Sequence, residues 1–235
     1  MVIFTRVIAS HYTVQGSLNP FKKREVRMQE IKESPKSAAL KTSIAEDALD
    51  QLFRNGRTFS AWLPTPVPVE LLRQAYELAS LAPTSANSSP FRILFVISKE
   101  AKARLLPALI PGNVEKTMTA PATAILAWDT EFFDHLPRLF PQADARSWFA
   151  GNPALIQETG FRNASLQAAY FMLAARALGL DCGPMSGFDA EKVNAEFFPD
   201  RTWKANFLCN LGYGDRSKLF PRNPRLKFEE ACVVL

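Results

Sequence analysis

The chain has 235 residues, 47% of them hydrophobic, which is enough for one sizeable domain with a full core. No apolar run reaches the roughly 20 residues needed to span a bilayer, so a membrane protein is not expected. The formal charge of +5 comes from residues 1–43, which hold eight basic and three acidic residues. The other 20 of each sign cancel, which argues against a nucleic-acid-binding surface on the remainder.

Cysteine and histidine usage argues against a metal centre. The three cysteines, Cys182, Cys209 and Cys232, are widely spaced, and the two histidines are His11 and His135. Because there is no C-x-x-C pair or Cys/His cluster, we expect no zinc or iron site, and we expect reduced, packed thiols. The N-terminal stretch also lacks the basic start and cleavage site of a secretory signal. These features favour a soluble, cytoplasmic protein.

The first 43 residues mix Ser, Pro, Lys and Glu without a sustained period, which is typical of a mobile basic extension. We expect the ordered domain to comprise residues 44–235. Its first two segments, SIAEDALDQLFRNGR and VPVELLRQAYELASLA, repeat apolar residues at helical spacing. Gly56 follows the first segment and Pro68 lies near the start of the second. Both segments predict amphipathic helices.

A polar stretch follows the second helix. In LAPTSANSSPFRILFV, two prolines flank the six small residues 84–89, and a strand-like apolar segment follows. Prolines fix φ and remove backbone donors, whereas Ser, Thr and Asn side chains can turn outward from a loop and form hydrogen bonds. Such a loop fits either a plain connection between a helix and a strand or a rim that grips a flat polar ring. The residues alone leave both interpretations open.

Beyond this loop, helices and strands alternate. FRILFVIS and ATAILAW have β-type composition, and AKARLLPAL between them predicts a short helix. The longest helix candidate covers residues 161–180, is apolar on most sides and is ended by Gly179, so we expect it in a core or between subunits. FLCNLGYG predicts a further strand, and an irregular Pro-containing stretch leads to a β-prone end. This order indicates a layered α/β or α+β fold.

The sequence contains no self-contained catalytic machinery. It has no G-x-S-x-G elbow, no P-loop and no G-x-G-x-x-G after a strand, and the G-x-G in LGYGD is typical of a tight turn. Hydrolase and kinase functions are therefore not supported. A large core with few titratable catalytic residues favours a protein in which a bound cofactor carries the chemistry.

Six further motifs carry a family resemblance: APTSAN, TAPATAILAWD, DARSWF, FRNASLQAAY, LGLDCGPMSGFD and GYGDRSKL. Through these motifs, the chain from about residue 44 to the C-terminal end resembles the FMN-dependent nitroreductase-like family. Within that family it is most similar to the malonic semialdehyde reductases of uracil degradation. The resemblance implies an α+β fold in which helices flank a central, mostly antiparallel sheet. It also implies a homodimer with two FMN sites at the subunit interface, the helix of residues 161–180 at its centre, and NADPH or NADH as hydride donor.

The resemblance implies three groups of flavin-binding residues. Ser85 and Asn87 would lie at the edge of the flavin ring and ribityl chain, and residues 184–187 would lie along the isoalloxazine. Basic residues would bind the phosphate, but the family shows Arg-x-Ser where this chain has Arg57 followed by Thr58 and Phe59, which leaves Arg54 and Arg57 as alternatives. The complete implied set is Arg54, Arg57, Thr58, Ser85, Asn87, Pro184, Met185, Ser186, Gly187, Lys218, Arg222 and Arg225.

The implied reaction is hydride transfer from the nicotinamide nucleotide to the flavin and then to malonic semialdehyde, with ping-pong kinetics. Arg146 is a candidate clamp for the substrate carboxylate and His135 a candidate proton donor, in a segment that covers the flavin in the family. An ion pair with Asp144 or another neighbour is the alternative for Arg146, and a surface or capping role is the alternative for His135. A broad nitro- or quinone reductase and a non-catalytic flavin-binding protein remain alternative functions.

Overall fold

A four-stranded antiparallel sheet organises the molecule. The computed structural model describes residues 42–235, so most of the predicted basic extension and His11 lie outside the described part. The strands are β1 (Phe91–Val96), β2 (Ala122–Asp129), β3 (Asp181–Met185) and β4 (Trp203–Gly212), in the order β1-β2-β4-β3. Every neighbouring pair is antiparallel. A parallel bridge between Thr58 and Cys182 extends the sheet at its β3 edge.

The helices cover this sheet. They are α1 (Glu46–Leu49), α2 (Val69–Ser80), α3 (Lys99–Leu105), α4 (Pro111–Thr119), α5 (Leu136–Leu139), α6 (Pro153–Ala177), α7 (Ala190–Phe197) and α8 (Phe228–Ala231). A wider π-helical turn, Asp50–Arg54, continues α1. In the described part of the chain, no helix combines the length and the hydrophobicity needed to cross a bilayer.

Strand β2 shows why the sheet is covered on both faces. All eight of its residues are buried, and their side chains alternate between two cores. Leu126 and Trp128 pack with α2 and α6 on one face of the sheet. Ile125 and Ala127 pack with α3 and α7 on the other face. A continuous apolar run is therefore required here, in place of an alternating pattern.

Helix α6 starts at Pro153, so the predicted start at Phe161 was wrong. The Asn152 side chain caps the helix by accepting a hydrogen bond from the Leu155 N–H, and Pro153 fits the first helical position because no partner is needed for its nitrogen. The end is as predicted, with Gly179 in the left-handed region at φ +84°. One side of α6 remains uncovered: Phe161, Leu166 and Tyr170 are 50%, 42% and 44% exposed.

Two further expectations need correction. The β-prone end forms no strand: the short helix α8 ends at Ala231, residues 232–235 have no regular structure, and residues 221–235 are all exposed. Cys232 lies in this exposed segment, so the expectation of packed thiols was wrong for it, whereas Cys182 and Cys209 are buried as expected. Cys182 and burial together hold the pKa of Cys209 well above its ordinary value.

Candidate functional site

The predicted flavin-binding residues fall at the two opposite edges of the sheet. Thr58 pairs with β3, and Pro184 and Met185 belong to it. The segment Ser85–Asn87 forms a 3-10 turn shortly before β1, at the other edge. Strands β2 and β4 lie between the two edges, and neighbouring strands are about 4.8 Å apart, so the edges are separated by about 14 Å. One chain therefore carries two separate halves of the predicted site.

A cationic cavity of about 470 Å³ lies near the β3 edge, and we call it the basic cavity. Two stretches distant in sequence form most of its wall. The charged and hydroxyl-bearing residues that line it are Arg57, Thr58, Ser60, Arg176, Lys218, Arg222 and Arg225. The structure thus brings together four of the predicted phosphate-binding cations. Within the described residues, its wall includes neither Ser85 nor Asn87.

Hydrogen bonds between the two stretches hold the basic cavity together. Arg222 Nη2 donates to the carbonyls of Arg54 and Gly56, at 2.7 and 2.9 Å. In the reverse direction, Arg57 donates to the Phe220 carbonyl. Because each guanidinium is already oriented by a carbonyl, its remaining N–H groups are available in a defined direction. Guanidinium groups suit bidentate binding of a phosphate.

The Arg54 side chain points to a different set of partners. Its guanidinium pairs with Asp50 and Glu46, at 2.9 and 2.6 Å, and it does not line the basic cavity. The hydrogen bonds that Arg54 donates to these two carboxylates, Asp50 first, raise its pKa. Of the two alternatives left open by the sequence, Arg57 is the one that the structure places at the cavity wall.

Arg176 is a cavity residue that the sequence reading missed. It comes from the last turn of α6, and its Nη1 donates to the Leu52 carbonyl at 3.2 Å. A Cβ at position 56 would lie 3.0 Å from the Arg176 guanidinium, so Gly56 leaves room for it. A cation near a helix C-terminus is favoured by the helix dipole, so its presence there does not by itself indicate a cavity. The available signal was that Arg176 is the one charged residue between positions 163 and 177 of the helix.

Helix α4 supports the residues that follow β3. The Asn113 side chain is buried, and its Nδ2 donates to the Gly187 carbonyl at 2.7 Å. A Cβ at Gly187 would approach Ile110 Cδ1 to 2.4 Å, so this close backbone contact requires glycine. The α4 C-terminus is capped in turn by buried Lys102, whose Nζ donates to the carbonyls of Thr117 and Ala120. Burial lowers the pKa of Lys102 to about 8.

At the β1 edge, residues 84–89 form what we call the polar loop. Its backbone is in the left-handed region at Ala86, Asn87 and Ser89, with φ of 50°, 51° and 41°. Non-glycine residues in this region cost about 1–3 kcal/mol each and persist only where the surroundings fix them. The Asn87 side chain is not free, because its Nδ2 donates to the Leu139 carbonyl at 2.8 Å.

The segment of residues 130–150 packs beside the polar loop and contains both candidate catalytic residues. Arg146 is half exposed, its Nε donates to Asp134 Oδ1 at 2.8 Å, and its guanidinium lies 5.8 Å from the centre of the Phe133 ring. It therefore has an ion-pair partner, but this partner is Asp134 and not Asp144. A smaller cavity of about 270 Å³ adjoins Arg146.

His135 lies on the same segment, next to a buried charge. Its Nε2 is 3.9 Å from Asp129 Oδ2, and Asp129 also accepts hydrogen bonds from Arg92 and Thr202, each at 2.6 Å. The His135 side chain is 46% exposed, so solvent and a small substrate can reach its imidazole. The described residues contain no group of three or more His, Cys, Asp or Glu placed to hold a metal ion.

Comparison with known proteins gives consistent matches. Residues 53–213 match the model of the nitroreductase family. A protein of Ralstonia nicotianae, provisionally named NADH dehydrogenase/NAD(P)H nitroreductase, is 58% identical over 193 residues, which are 82% of this chain and 99% of the relative. A protein of the same name from Rhodopseudomonas palustris is 58% identical over 196 residues, which are 83% of this chain and 100% of the relative.

Solved structures resemble the fold. The nitroreductase ydfN of Bacillus subtilis superposes with a TM-score of 0.74 at 24% identity, covering 80% of this chain and 99% of that one. A nitroreductase of Exiguobacterium sibiricum, solved in complex with FMN, gives 0.72 at 22% identity and covers 83% and 100%. These matches confirm the α+β nitroreductase-like fold. Since the family model spans most of the domain and the relatives align over nearly their whole length, the chain belongs to the nitroreductase family.

Proposed function

We propose that this chain is an FMN-dependent NAD(P)H oxidoreductase whose domain comprises residues 44–235, and that it reduces malonic semialdehyde to 3-hydroxypropionate in pyrimidine degradation. The basic cavity is the observation that supports FMN as the cofactor. Four arginines and a lysine line it, together with the hydroxyl of Thr58, and this is a suitable donor set for a phosphate dianion. The FMN bound by the E. sibiricum protein and the NAD(P)H in the relatives' names support the same proposal.

The remaining flavin contacts come from two chains in this proposal. In one chain, the polar loop and the basic cavity lie at opposite edges of the sheet. A homodimer can bring the polar loop of one copy to the basic cavity of the other. The exposed side of α6 supplies a surface for such a dimer: Leu166 and Tyr170 lie four residues apart on one face, and Phe161 lies at the opposite margin of that side. A site between subunits follows.

When bound, FMN supplies the two-electron carrier between the nicotinamide nucleotide and the aldehyde. The chain's own residues bind and orient the substrate. Arg146 binds the substrate carboxylate in place of Asp134, an exchange of one carboxylate for another that costs little because exposed ion pairs contribute only about 0–1 kcal/mol. His135 donates the proton that the aldehyde oxygen needs, and Asp129, whose Oδ2 lies 3.9 Å from its Nε2, orients the imidazole.

Two experiments test this function. Purified protein should be yellow and dimeric, and a colourless monomer that takes up no added FMN would contradict the proposal. Turnover on malonic semialdehyde, a nitroaromatic and a quinone should then be compared with NADPH and with NADH. The relatives' nitroreductase names favour the second candidate, a broad nitro- or quinone reductase. Such an enzyme would not turn over the aldehyde faster than the nitroaromatic or the quinone. Bound FMN that neither nucleotide bleaches without oxygen would indicate a non-catalytic flavoprotein.

One substitution separates the substrates. Arg146→Gln removes a charge-assisted contact, which lowers kcat/KM for the carboxylated aldehyde by about 10- to 150-fold. An uncharged quinone never uses this contact, so its turnover and the FMN content stay unchanged. Arg138→Gln, on nearby α5, is the matched control and should leave both substrates unaffected. Equal losses on aldehyde and quinone would assign Arg146 to folding or flavin binding, and a loss confined to Arg138→Gln would move the clamp there.

A further inference from the structure

Two buried amide side chains on α6 contact the backbone at the two ends of the polar loop. Asn163 and Gln167 are only 1% and 3% exposed, and they lie four residues apart, hence on one face of the helix. Asn163 Oδ1 accepts a hydrogen bond from the Ser85 N–H at 2.8 Å. Gln167 Oε1 accepts one from the Phe91 N–H at 3.2 Å, immediately beyond the loop.

Both amides lie next to an apolar core, where packing alone does not require a polar side chain. Their helix neighbours, Ala164 and Ala168, are fully buried in the apolar core between α6 and the sheet. A buried amide is unfavourable unless it is hydrogen bonded, and an aliphatic side chain would suit this core equally well. Asn163 and Gln167 therefore belong to the polar loop that they contact rather than to the packing of the helix.

The polar loop needs such anchors because its own contacts do not explain its shape. Three of its residues are in the left-handed region, and none of them is glycine. The buried Ser88 Oγ has no hydrogen-bond partner among the described residues. Inside the loop, the Ser89 N–H donates to Thr84 Oγ1 at 3.2 Å, which closes the loop without fixing it to the domain. The attachment to the rigid helix comes from Asn163 and Gln167.

We propose that Asn163 and Gln167 are positioning residues that hold the polar loop in the strained shape in which it contacts the flavin. They act through the Ser85 and Phe91 N–H groups and do not touch the cofactor themselves. This inference rests on the proposed function, because the loop has a ligand only if FMN binds. The two anchors are acceptors, so each can be removed or retained by a side chain of nearly the same size.

The test uses paired variants of the full-length protein. Asn163→Leu and Gln167→Met remove the acceptor, whereas Asn163→Asp and Gln167→Glu keep an acceptor oxygen. Burial favours the neutral form of the new carboxyl groups, whose C=O accepts as the amide does and whose O–H can replace the amide donor, which in Asn163 binds the Thr159 carbonyl. Hydrogen exchange of a peptide that covers residues 82–92 should accelerate by about tenfold in the first pair, for one lost hydrogen bond, and should stay close to wild type in the second pair. This measurement needs no cofactor. Unchanged exchange in Asn163→Leu and Gln167→Met would overturn the inference.

FMN affinity supplies the functional readout. The Kd for FMN should rise about tenfold in Asn163→Leu and Gln167→Met and recover in the acceptor-retaining variants. Leu72→Ala, on α2 in the same apolar core, is the matched control: it lowers the thermal midpoint through packing and leaves the Kd unchanged. If the Kd for FMN rises in proportion to the loss of thermal stability in all five variants, the amides have only a structural role and the inference is overturned. If wild-type protein binds no FMN, the proposed function fails, while hydrogen exchange still decides whether the amides anchor the loop.

Discussion

The polar loop and the basic cavity reach their shapes in opposite ways. The polar loop takes its shape from side chains of the core: Asn163 and Gln167 are buried, and the Asp129 carboxylate that binds Arg92 is 6% exposed. In the basic cavity, Lys218, Arg222 and Arg225 are exposed and Arg57 is half-buried, and carbonyls of the opposing stretch orient Arg57 and Arg222. Substitutions in the first region should therefore reduce stability, whereas those in the second should reduce ligand affinity with little loss of stability.

The largest effect is expected from Asp129→Ala. This change leaves the partly buried Arg92 guanidinium without its carboxylate, and it should lower the free energy of unfolding by about 3–5 kcal/mol. Arg92 Nη1 also donates to the Ser89 carbonyl at 3.0 Å, so the polar loop should loosen as well. Denaturant unfolding measures the effect. Asp134→Ala is the control, because its exposed pair with Arg146 should contribute at most about 1 kcal/mol, and equal losses would break the comparison.

At the basic cavity, Arg222→Ala should weaken FMN binding by about 10- to 150-fold, since it removes a charge-assisted phosphate contact. Riboflavin has no phosphate, so its affinity should stay the same, and the thermal midpoint should change little. Fluorescence titration with both ligands measures this. The control Arg73→Ala removes an exposed arginine of α2 and should have no effect. A comparable loss of riboflavin affinity would show that Arg222 supports folding instead of recognising phosphate.

The pH dependence of stability tests the role of Lys102, which caps the helix α4 that supports the residues after β3. Lys102→Met removes the donor to buried carbonyls at the end of α4 and should cost about 1–3 kcal/mol at pH 7. Burial lowers the pKa of Lys102 from 10.5 to about 8, so the folded protein binds fewer protons than the unfolded chain between these values. Wild-type stability from this group therefore rises as the pH increases from about 8 towards 10.5. The variant should lack this increase, and parallel pH profiles would contradict the assignment.

The smallest expected effect concerns the strain of the polar loop. Ala86→Gly should leave the thermal midpoint unchanged or raise it, with a gain of at most about 1 kcal/mol, because glycine adopts φ of 50° without penalty. Ala169→Gly, at an exposed position of α6, should instead cost about 1 kcal/mol. A gain in stability at position 86 and a loss at position 169 would show that the same substitution relieves strain in the polar loop but weakens the helix. A loss of similar size at both positions would show that the loop is not strained at Ala86.

Much of the fold followed from local sequence patterns. The apolar run of β2 and the spacing of α2 predicted their elements, because burial repeats with the period of the secondary structure. Strand β3 was less visible, since Gly183 and Pro184 are poor strand formers. Pro184 is tolerated because β3 pairs with only one full strand, and Thr58 bridges it at Cys182 alone.

The candidate site was predictable in composition but not in geometry. The motifs indicated a polar loop and a group of cations, and the structure places Arg57 and Arg222 at one cavity. Left-handed Ala86 could not be predicted, because alanine rarely adopts this conformation and the N–H of the neighbouring Ser85 bonds to Asn163 of α6, far away in sequence. The role of Arg176 was hidden for the same reason. Long-range contacts decided each of these features.

The crossed hydrogen bonds of the basic cavity also constrain when FMN can bind during protein synthesis. Arg57 and the Phe220 carbonyl are 163 residues apart, whereas Ser85 and Asn163 are separated by 78. At about 5–20 residues per second, a ribosome needs roughly 8–30 s to translate from one wall of the cavity to the other. A nascent chain can thus anchor its polar loop well before both walls of the basic cavity exist. Flavin loading is accordingly expected to follow translation, and overproduced protein should gain colour when riboflavin supply, rather than synthesis rate, is increased.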